Sequence, residues 1–423
     1  MSFWLDIIYG GGAVASLAGG LLRGRPGKPW DHIKRRALAF DPPAREHLRP
    51  ALWLHGVSVG EVLASRNLLS RFAEAHPDWD LIISSSTLLG HDAAARTWPD
   101  RTVIRFPLDF TRTVDRAFRR LAPALIVVIE HDLWPNFLRR ASRDRIPVVL
   151  ANARLSERSF RRYERLSRVL SWPPRDLAAI CSEDEESARR FRALGFEPSR
   201  VHVTGNLKFD NPAPPGAHGL RSELGYGGED WLFLAASTHP GEEEAAIDAW
   251  KPVRDLDANA RLILAPRRIE RVGEVERVAT SRGLRVARWS TFAGRGDEDV
   301  VLVDTIGDLA KLTALGDVVF VGGSLVPVGG HSVIEPASLG RAILIGPHHE
   351  NARAVVRRFA ERDALRVIRD AEDLARSVID LYRDREQARE LGRRAAEVVE
   401  SSLGATERTL ARIEAVLAER APK

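Results

Sequence analysis

The chain has 423 residues, of which 44% are hydrophobic and 29% are charged, and this composition is typical of folded globular proteins rather than disordered ones. The length suits two domains better than one small module. The single cysteine, Cys181, excludes an intrachain disulfide and a cysteine-rich zinc or iron–sulfur site, which fits a reducing compartment.

The basic residues are strongly biased toward arginine: the net charge is +5, and only six of the 63 basic residues are lysines. Arginine suits carboxylates and phosphates, so an anionic substrate or lipid is one explanation of the bias. A GC-rich genome is the other. Acidic and basic residues are interspersed and no nucleic-acid motif occurs, which argues against a nucleic-acid partner.

The first element in chain order is a nearly uncharged stretch from Phe3 to Leu22, interrupted only by Asp6 and followed by six basic residues within 23–36. A secretory signal has its positive charge before the apolar run, whereas here the charge follows it. The positive-inside rule therefore predicts that the chain from residue 23 onward is cytoplasmic. We predict a membrane anchor over residues 1–25, either bilayer-spanning or shallow and monotopic, with basic residues 23–36 attracted to anionic headgroups.

Two series of apolar strands alternate with helical patterns after the anchor. Continuous apolar strands are typical of a parallel sheet covered by helices on both faces. The predicted strands are 52–57, 81–84, 102–106, 124–130, 148–150, 177–181 and 201–205, and then 231–237, 261–266, 299–304, 317–323 and 342–347. The pattern predicts two consecutive α/β sandwiches.

The predicted domains are 26–210 and 220–423, joined by a linker at 211–219 that is rich in proline and glycine. Helical patterns from about residue 371 to the end are expected to be partly exposed or to fold back across the first domain. Ligands of such sheets bind at the carboxyl ends of the strands, so we expect a site in the cleft between the two domains, lined by residues that follow strands.

Glu61 is the first candidate, in the segment His55–Glu61 where an apolar strand runs into a helix start. One interpretation is a capping box, with Ser58 as N-cap and Glu61 three residues later. The other is a general base close to the positive end of the helix.

Glu130, His131 and Asp132 follow the next buried strand, and Lys208 lies near the end of the first domain. We expect the acidic groups to stabilise positive charge or to orient an acceptor, since adjacent residues point apart and the other metal ligands are missing. Lys208 is interpreted either as a compact cation in the site or as a solvated loop lysine.

The second series has several loops with anion-binding character. Residues 237–243 open a helix after a strand and are expected to offer free amides, Pro266 and Arg267 follow the next strand, and Gly307, Asp308 and Leu309 begin another helix. Glycines 322 and 323 would let the backbone approach a phosphate closely. Together these loops favour a nucleotide-sugar phosphate.

The segment Ser332, Val333, Ile334 and Glu335 ends this group of motifs. It fits a second capping box, and alternatively Glu335 would accept hydrogen bonds from two ribose hydroxyls. His348, His349 and Glu350 are interpreted as a loop tip rather than metal ligands.

These motifs, in this order, resemble the 3-deoxy-D-manno-octulosonic acid (Kdo) transferases of lipopolysaccharide assembly. The resemblance runs from the N-terminal segment to about residue 360. It implies a GT-B fold, in which two Rossmann-like domains face a central cleft, and a monotopic attachment to the cytoplasmic side of the bacterial inner membrane. It also implies inverting transfer of Kdo from the donor substrate CMP-Kdo to a lipid A precursor, with no metal and no further cofactor.

The resemblance also implies roles for individual residues. Glu61 would be the general base, and Glu130 or Asp132, together with Lys208, would stabilise the transition state. The groups that would hold CMP are Pro266 and Arg267, the turn Gly307, Asp308 and Leu309, and the segment Ser332, Val333, Ile334 and Glu335, with Glu335 on the ribose.

Three residues depart from the family pattern. Thr and Glu are usual where this chain has His131 and Asp132, and Asn is usual where it has Ser332. Asp132 is one methylene shorter than Glu, and Ser332 lacks an amide that would contact the nucleotide.

Two other functions remain open from the sequence. One is another GT-B enzyme, such as a UDP-sugar transferase or epimerase. The other is a membrane-attached protein that binds lipid or nucleotide at a degenerate site. The motifs leave open the number of Kdo residues added, the linkage and the oligomeric state.

Overall fold

A computed structural model describes residues 42–45, 49–130, 133–170, 177–210 and 219–420. The predicted anchor, basic residues 23–36, Asp132 and almost all of the predicted linker lie outside these residues. The described chain forms two compact units by its internal contacts, one of residues 1–211 with 403–423 and the other of residues 212–402.

The first unit is built on a seven-stranded sheet whose neighbouring strands are all parallel, in the order β3-β2-β1-β4-β5-β6-β7. Its strands are β1 (Ala51–Gly56), β2 (Asp80–Ser85), β3 (Thr102–Arg105), β4 (Leu125–Ile129), β5 (Val148–Ala153), β6 (Ala179–Ser182) and β7 (Val201–Val203). The intervening helices are α1 (Val59–Ala64), α2 (Arg66–Ala75), α3 (Leu88–Thr97), α4 (Thr111–Leu121), α5 (Pro135–Arg143), α6 (Glu157–Leu170) and α7 (Glu185–Ala193).

The second unit repeats this plan with parallel neighbours in the order β10-β11-β9-β8-β12-β13-β14. Its strands are β8 (Leu232–Thr238), β9 (Arg261–Pro266), β10 (Val286–Arg288), β11 (Val300–Leu302), β12 (Val318–Val321), β13 (Ala342–Ile345) and β14 (Arg366–Val367). Its helices are α8 (Leu220–Glu223), α9 (Glu242–Leu256), α10 (Val272–Ser281), α11 (Leu309–Leu312), α12 (Ile334–Ser338), α13 (Arg353–Ala360), α14 (Ala371–Arg383) and α15 (Arg385–Glu400).

Apolar side chains cover both faces of each sheet, as a doubly wound sheet requires. In the first unit, Trp53 and Phe137 lie in the cluster on one face of the sheet, and Leu54 and Phe72 lie in the cluster on the other. The last described helix, α16 (Ala405–Ala418), adds Ile413 to this second cluster. Helix α16 therefore packs against the first sheet.

All twelve predicted strands are present, with shifts of one to three residues at most of their ends. The sequence did not predict β10 and β14, which are three and two residues long and form the two edges of the second sheet. An edge strand has a neighbour on one side only, so it needs fewer apolar residues and leaves a weaker pattern. The fold class of two parallel α/β units is confirmed.

Within the described part of the chain, none of the helices combines the length and the apolar character needed to span a bilayer.

Candidate active site

Each sheet reverses its strand order at one point, between β1 and β4 in the first unit and between β8 and β12 in the second. The loops at the carboxyl ends of such strands diverge there and leave a crevice, which is where open α/β sheets bind ligands. Glu61 and Glu130 follow β1 and β4, and His239 and Gly322 follow β8 and β12. Both candidate regions therefore lie at reversal points.

Glu61 lies in the first turn of α1 and is 9% exposed. Ser58 Oγ accepts from Glu61 N (3.3 Å) and donates to Glu61 Oε1 (2.8 Å), and Glu61 Oε2 accepts from Val57 N (2.7 Å). The predicted capping box is confirmed: Ser58 caps the amide of Glu61. The Glu61 carboxylate in turn accepts from the amide of Val57, the residue before the N-cap, rather than from that of Ser58. A carboxylate has about four lone-pair positions, so each oxygen can still accept a proton from a ligand.

Burial raises the pKa of Glu61, and the negative charge of Glu130 raises it further. The hydrogen bonds from Val57 and Ser58 and the positive charge of Lys208 act in the opposite direction. A carboxylate whose pKa is raised holds a proton more strongly once it takes one up, which is the property required of a general base.

Lys208 and Glu130 form an ion pair, with 3.4 Å between Lys208 Nζ and Glu130 Oε1. Lys208 lies on a short 3₁₀ helix, Leu207–Asp210, and its side chain is 37% exposed. Glu130 has a φ of 68°, in the left-handed region that a glutamate rarely adopts. Strained residues of this kind cluster at functional sites, because the surrounding structure must hold them in place.

The C-terminal helix holds the loop that carries Lys208. Asp210 accepts from Gly404 N (2.8 Å) and from Thr406 N, and Arg408 Nε donates to Thr204 O (2.8 Å). Residues 404–408 thus help to position a candidate site residue nearly 200 positions earlier in the sequence.

Glu183 is a charged residue of this region that the sequence reasoning missed. It follows β6, and its Oε2 accepts from Asn206 Nδ2 (2.9 Å) while its Oε1 lies 3.3 Å from Arg154 Nε. Burial raises the pKa of Glu183 to about 7, with Arg154 lowering it and Asp184 and Glu130 raising it. The available signal was an acidic residue at the carboxyl end of a predicted parallel strand, as for Glu61.

In the second unit, the carboxylate of Glu242 occupies the amide of His239 and three amides of the loop after β12. Oε2 of the buried Glu242 accepts from His239 N (2.9 Å) and Gly323 N (2.7 Å), and its Oε1 accepts from Ser324 N and Leu325 N (both 2.9 Å). The expectation of a phosphate cradle at Gly322 and Gly323 was therefore wrong, since Gly322 N donates to Ala236 O and Gly323 N to Glu242. Over residues 237–243, the His239 amide is taken by Glu242, and the expectation of free amides at the start of α9 remains a prediction. The carboxylate of Glu242 fills that cradle and ties the loop after β12 to the start of α9.

Pro266 ends β9 and is buried, and Arg267 follows it with its side chain exposed. Arg267 N donates to Thr238 O (3.0 Å), which fixes its backbone beside the end of β8. Among the described residues, no side chain forms a hydrogen bond or ion pair with the Arg267 guanidinium. This cation is therefore available to an anionic ligand.

The turn Gly307, Asp308 and Leu309 leads into α11. Gly307 has a φ of 102°, which favours glycine, and it is exposed. Asp308 Oδ2 accepts from Trp289 Nε1 (3.2 Å) and from Thr305 Oγ1. Asp308 therefore stabilises the turn, and the exposed backbone of Gly307 is the part open to a ligand.

The predicted capping box at Ser332 to Glu335 was wrong. Helix α12 begins at Ile334 with Val333 as N-cap, and Ser332 Oγ accepts from Ile334 N (3.3 Å) instead of Glu335 N. Val333 and Ile334 are buried, which anchors the segment. Glu335 is exposed, and no described residue pairs with its carboxylate, so the second interpretation of Glu335 remains a prediction.

In the described part of the chain, no cluster of three or more histidine, cysteine, aspartate or glutamate side chains is arranged to hold a metal ion. His349 Nδ1 instead lies 3.0 Å from Gly346 O, within the loop after β13. Asp132 and His131 lie outside the described residues.

Comparison with known proteins is consistent with this arrangement. Residues 31–211 match the family model described as 3-deoxy-D-manno-octulosonic-acid transferase (kdotransferase). The 3-deoxy-D-manno-octulosonic acid transferase of Haemophilus influenzae is 30% identical over 85% of this chain and 85% of that protein. The transferase of the same name from Chlamydophila psittaci is 31% identical over 77% of this chain and 76% of that protein. This chain belongs to the Kdo transferase family.

Solved structures place the Kdo transferase chain in the GT-B fold. UDP-GlcNAc 2-epimerase from Neisseria meningitidis bound to UDP-GlcNAc is 11% identical, with a TM-score of 0.58 over 88% of this chain and 100% of that one. A glycosyltransferase from Rickettsia africae is 8% identical, with a TM-score of 0.56 over 89% and 100% of the two chains. At these identities the likeness concerns the fold alone.

Proposed function

We propose that this Kdo transferase moves Kdo from CMP-Kdo to a lipid A precursor, by an inverting reaction that uses no catalytic metal. The observation that carries the proposal is the convergence of Glu61, Glu130 and Lys208 at the reversal point of the first sheet. Membership of the family supplies the substrate class, through the transferases named above.

Glu61 acts as the general base in this proposal. It takes the proton of the acceptor hydroxyl as that oxygen bonds to the anomeric carbon of Kdo, while the bond from that carbon to the CMP phosphate breaks. Attack from the side opposite the phosphate inverts the configuration. The raised pKa of Glu61 supports this role, because a general base works best when its pKa lies closer to the pH at which the enzyme operates.

Lys208 and Glu130 stabilise the transition state electrostatically. Their ion pair is 37% and 18% exposed at the two side chains, and a partly desolvated pair interacts more strongly than one in water. Asp132 is proposed to share this role. Because the backbone of Glu130 is left-handed, its side chain leaves the chain in a different direction from that of a residue in extended conformation at the end of a strand.

The second unit binds CMP in this proposal. Arg267, beside Pro266, is an exposed cation for the nucleotide phosphate, and Gly307, Asp308 and Leu309 offer backbone groups. Ser332, Val333, Ile334 and Glu335 complete the CMP site, with the free carboxylate of Glu335 on the ribose hydroxyls. Because Glu242 occupies the amides of His239 and of the loop after β12, charge stabilisation of the leaving phosphate by that loop falls to side chains.

We further propose attachment at the cytoplasmic face of the bacterial inner membrane. Residues 1–25 and the basic residues 23–36 carry this proposal from the sequence alone.

The decisive experiment incubates the full chain in detergent with CMP-Kdo generated in situ and a tetra-acylated lipid A precursor, and reads product masses. We expect a gain of one or more Kdo units with the wild type, none with Glu61→Gln, and wild-type behaviour with Glu372→Gln, which changes an exposed first-turn glutamate of α14. Wild-type protein that binds CMP yet forms no product would contradict the proposal. Preferential binding of UDP over CMP would point to a UDP-sugar enzyme.

A further inference from the structure

Two histidines of the second unit are in direct contact. His239 follows β8 and His331 lies in the loop after β12, and their Nε2 atoms are 3.0 Å apart with the ring planes 11° from parallel. A hydrogen bond between two Nε2 atoms needs one proton between them, so one ring carries Nε2–H and the other a free lone pair. No hydrogen bond within the described residues reaches either Nδ1 atom.

The pair lies beside a glycine and an available cation. A Cβ on Gly323 would come within 3.1 Å of His331 Nε2 and 3.4 Å of His239 Cδ2, so the rings pack directly on this backbone. The charge of Arg267 acts on both imidazoles. The three side chains therefore form one group at the reversal point of the second sheet.

The charges around the pair disfavour an additional proton when no ligand is bound. Burial, Arg267 and His239 lower the pKa of His331 to about 4. Burial also lowers the pKa of His239, with Arg267 and Arg268 acting in the same direction and Glu242 and Glu243 opposing them. An anion beside Arg267 would offset the cationic charge and favour a proton on the pair.

We propose that His239 and His331 form, with Arg267, a subsite for the phosphate of the nucleotide, and that the imidazole pair takes up one proton from solvent when this phosphate binds. The inference rests on the proposed function, because it assigns the ligand as a cytidine nucleotide. The added proton occupies a free Nδ1, so the bond between the Nε2 atoms persists. A second proton would leave two Nε2–H groups and two positive charges facing each other, and this repulsion limits the uptake to one proton.

This subsite has a defined part in the transfer. When the bond between the sugar and the phosphate breaks, its electron pair stays on the phosphate oxygen, and the phosphate charge changes from −1 to −2. The acceptor proton goes to Glu61, and the acceptor oxygen takes the place of the phosphate on the sugar. The protonated pair and Arg267 neutralise the charge added to CMP.

The test is calorimetric titration of CMP into the full chain at pH 7, in two buffers with different ionisation enthalpies. The difference in heat gives the protons exchanged per CMP. Free CMP has a second phosphate pKa near 6, so binding of its dianion releases protons, whereas protonation of the pair takes them up. We expect net uptake with the wild type, and no uptake with His331→Gln or with cytidine, which lacks the phosphate.

The control is His202→Gln, on β7 of the first unit, which should retain wild-type uptake. Binding of CMP without net uptake, or equal uptake by His331→Gln, would overturn the inference and leave the proposed function intact. A wild-type chain that fails to bind CMP would instead contradict the proposed donor. If His331→Gln does not fold, His239→Gln and the wild-type comparison of CMP with cytidine decide the question.

Discussion

Lys208 Nζ lies 3.4 Å from Glu130 Oε1, although 78 residues separate the two in the chain. The parallel sheet causes this proximity, because β4 and β7 end at the same edge and the residues that follow them share one side of the unit. Glu61 belongs to the same electrostatic group, since both Glu130 and Lys208 act on its pKa. The three residues should therefore respond to each other's substitution.

Glu130→Gln should move the acid limb of the pH profile of kcat/KM to lower pH. The charge of Glu130 raises the pKa of Glu61, so neutralising it makes Glu61 lose its proton at a lower pH. The measurement is a pH profile of kcat/KM from pH 4 to 9, with Glu372→Gln as the control. An unchanged limb would show that another group controls the base.

Lys208→Met should lower kcat by roughly 10²–10³-fold with a smaller change in KM, since a transition-state contact is lost. It should also move the acid limb to higher pH, because Lys208 lowers the pKa of Glu61. Steady-state kinetics over pH measure both effects. A change confined to KM would assign Lys208 to substrate binding, and Lys251→Met, an exposed lysine of α9, is the control.

Glu183→Gln should raise the free energy of unfolding above that of the wild type, and this gain should be larger at pH 8 than at pH 5. The folded-state pKa of Glu183 is raised to about 7, so the folded chain binds more protons than the unfolded one between about pH 4.5 and 7, and wild-type stability falls as pH rises. The shift corresponds to at most about 3 kcal/mol. The measurement is the denaturation midpoint of variant and wild type at the two pH values, and the control is Glu185→Gln, which changes an exposed glutamate. A difference between variant and wild type that is the same at pH 5 and pH 8 would contradict the prediction.

Glu242→Ala should destabilise the second unit by at least about 3 kcal/mol, because four backbone N–H groups lose their acceptor inside the protein. Thermal unfolding with and without CMP measures this effect. The control is Glu244→Ala, two residues after Glu242 in α9. A fully stable Glu242→Ala chain with tighter CMP binding would show that these amides serve the ligand.

Arg267→Ala should weaken CMP binding by about 10- to 100-fold, the effect of losing one hydrogen bond to a charged group. Its guanidinium has no partner among the described residues, so folding should be unaffected. Titration with CMP and with cytidine measures the change, which should be confined to CMP. Arg277→Ala, exposed on α10, should bind CMP as the wild type does.

The sequence determined the fold class and twelve of the strands, because a parallel strand buried on both faces needs a continuous apolar run. It also placed Glu61, Glu130, Lys208 and Arg267 just after strands, which is enough to assign them to the binding edge of a doubly wound sheet. The family followed from the order of these motifs.

Only the tertiary structure decided which polar groups are already paired. Glu242 and the amides of Gly323, Ser324 and Leu325 are about 80 positions apart, so local sequence gave no sign that a carboxylate fills that cradle. The His239 and His331 contact and the burial of Glu183 arose in the same way. Pairing and desolvation depend on neighbours brought together by folding, whereas strand pattern and helix capping depend on residues within a few positions of each other.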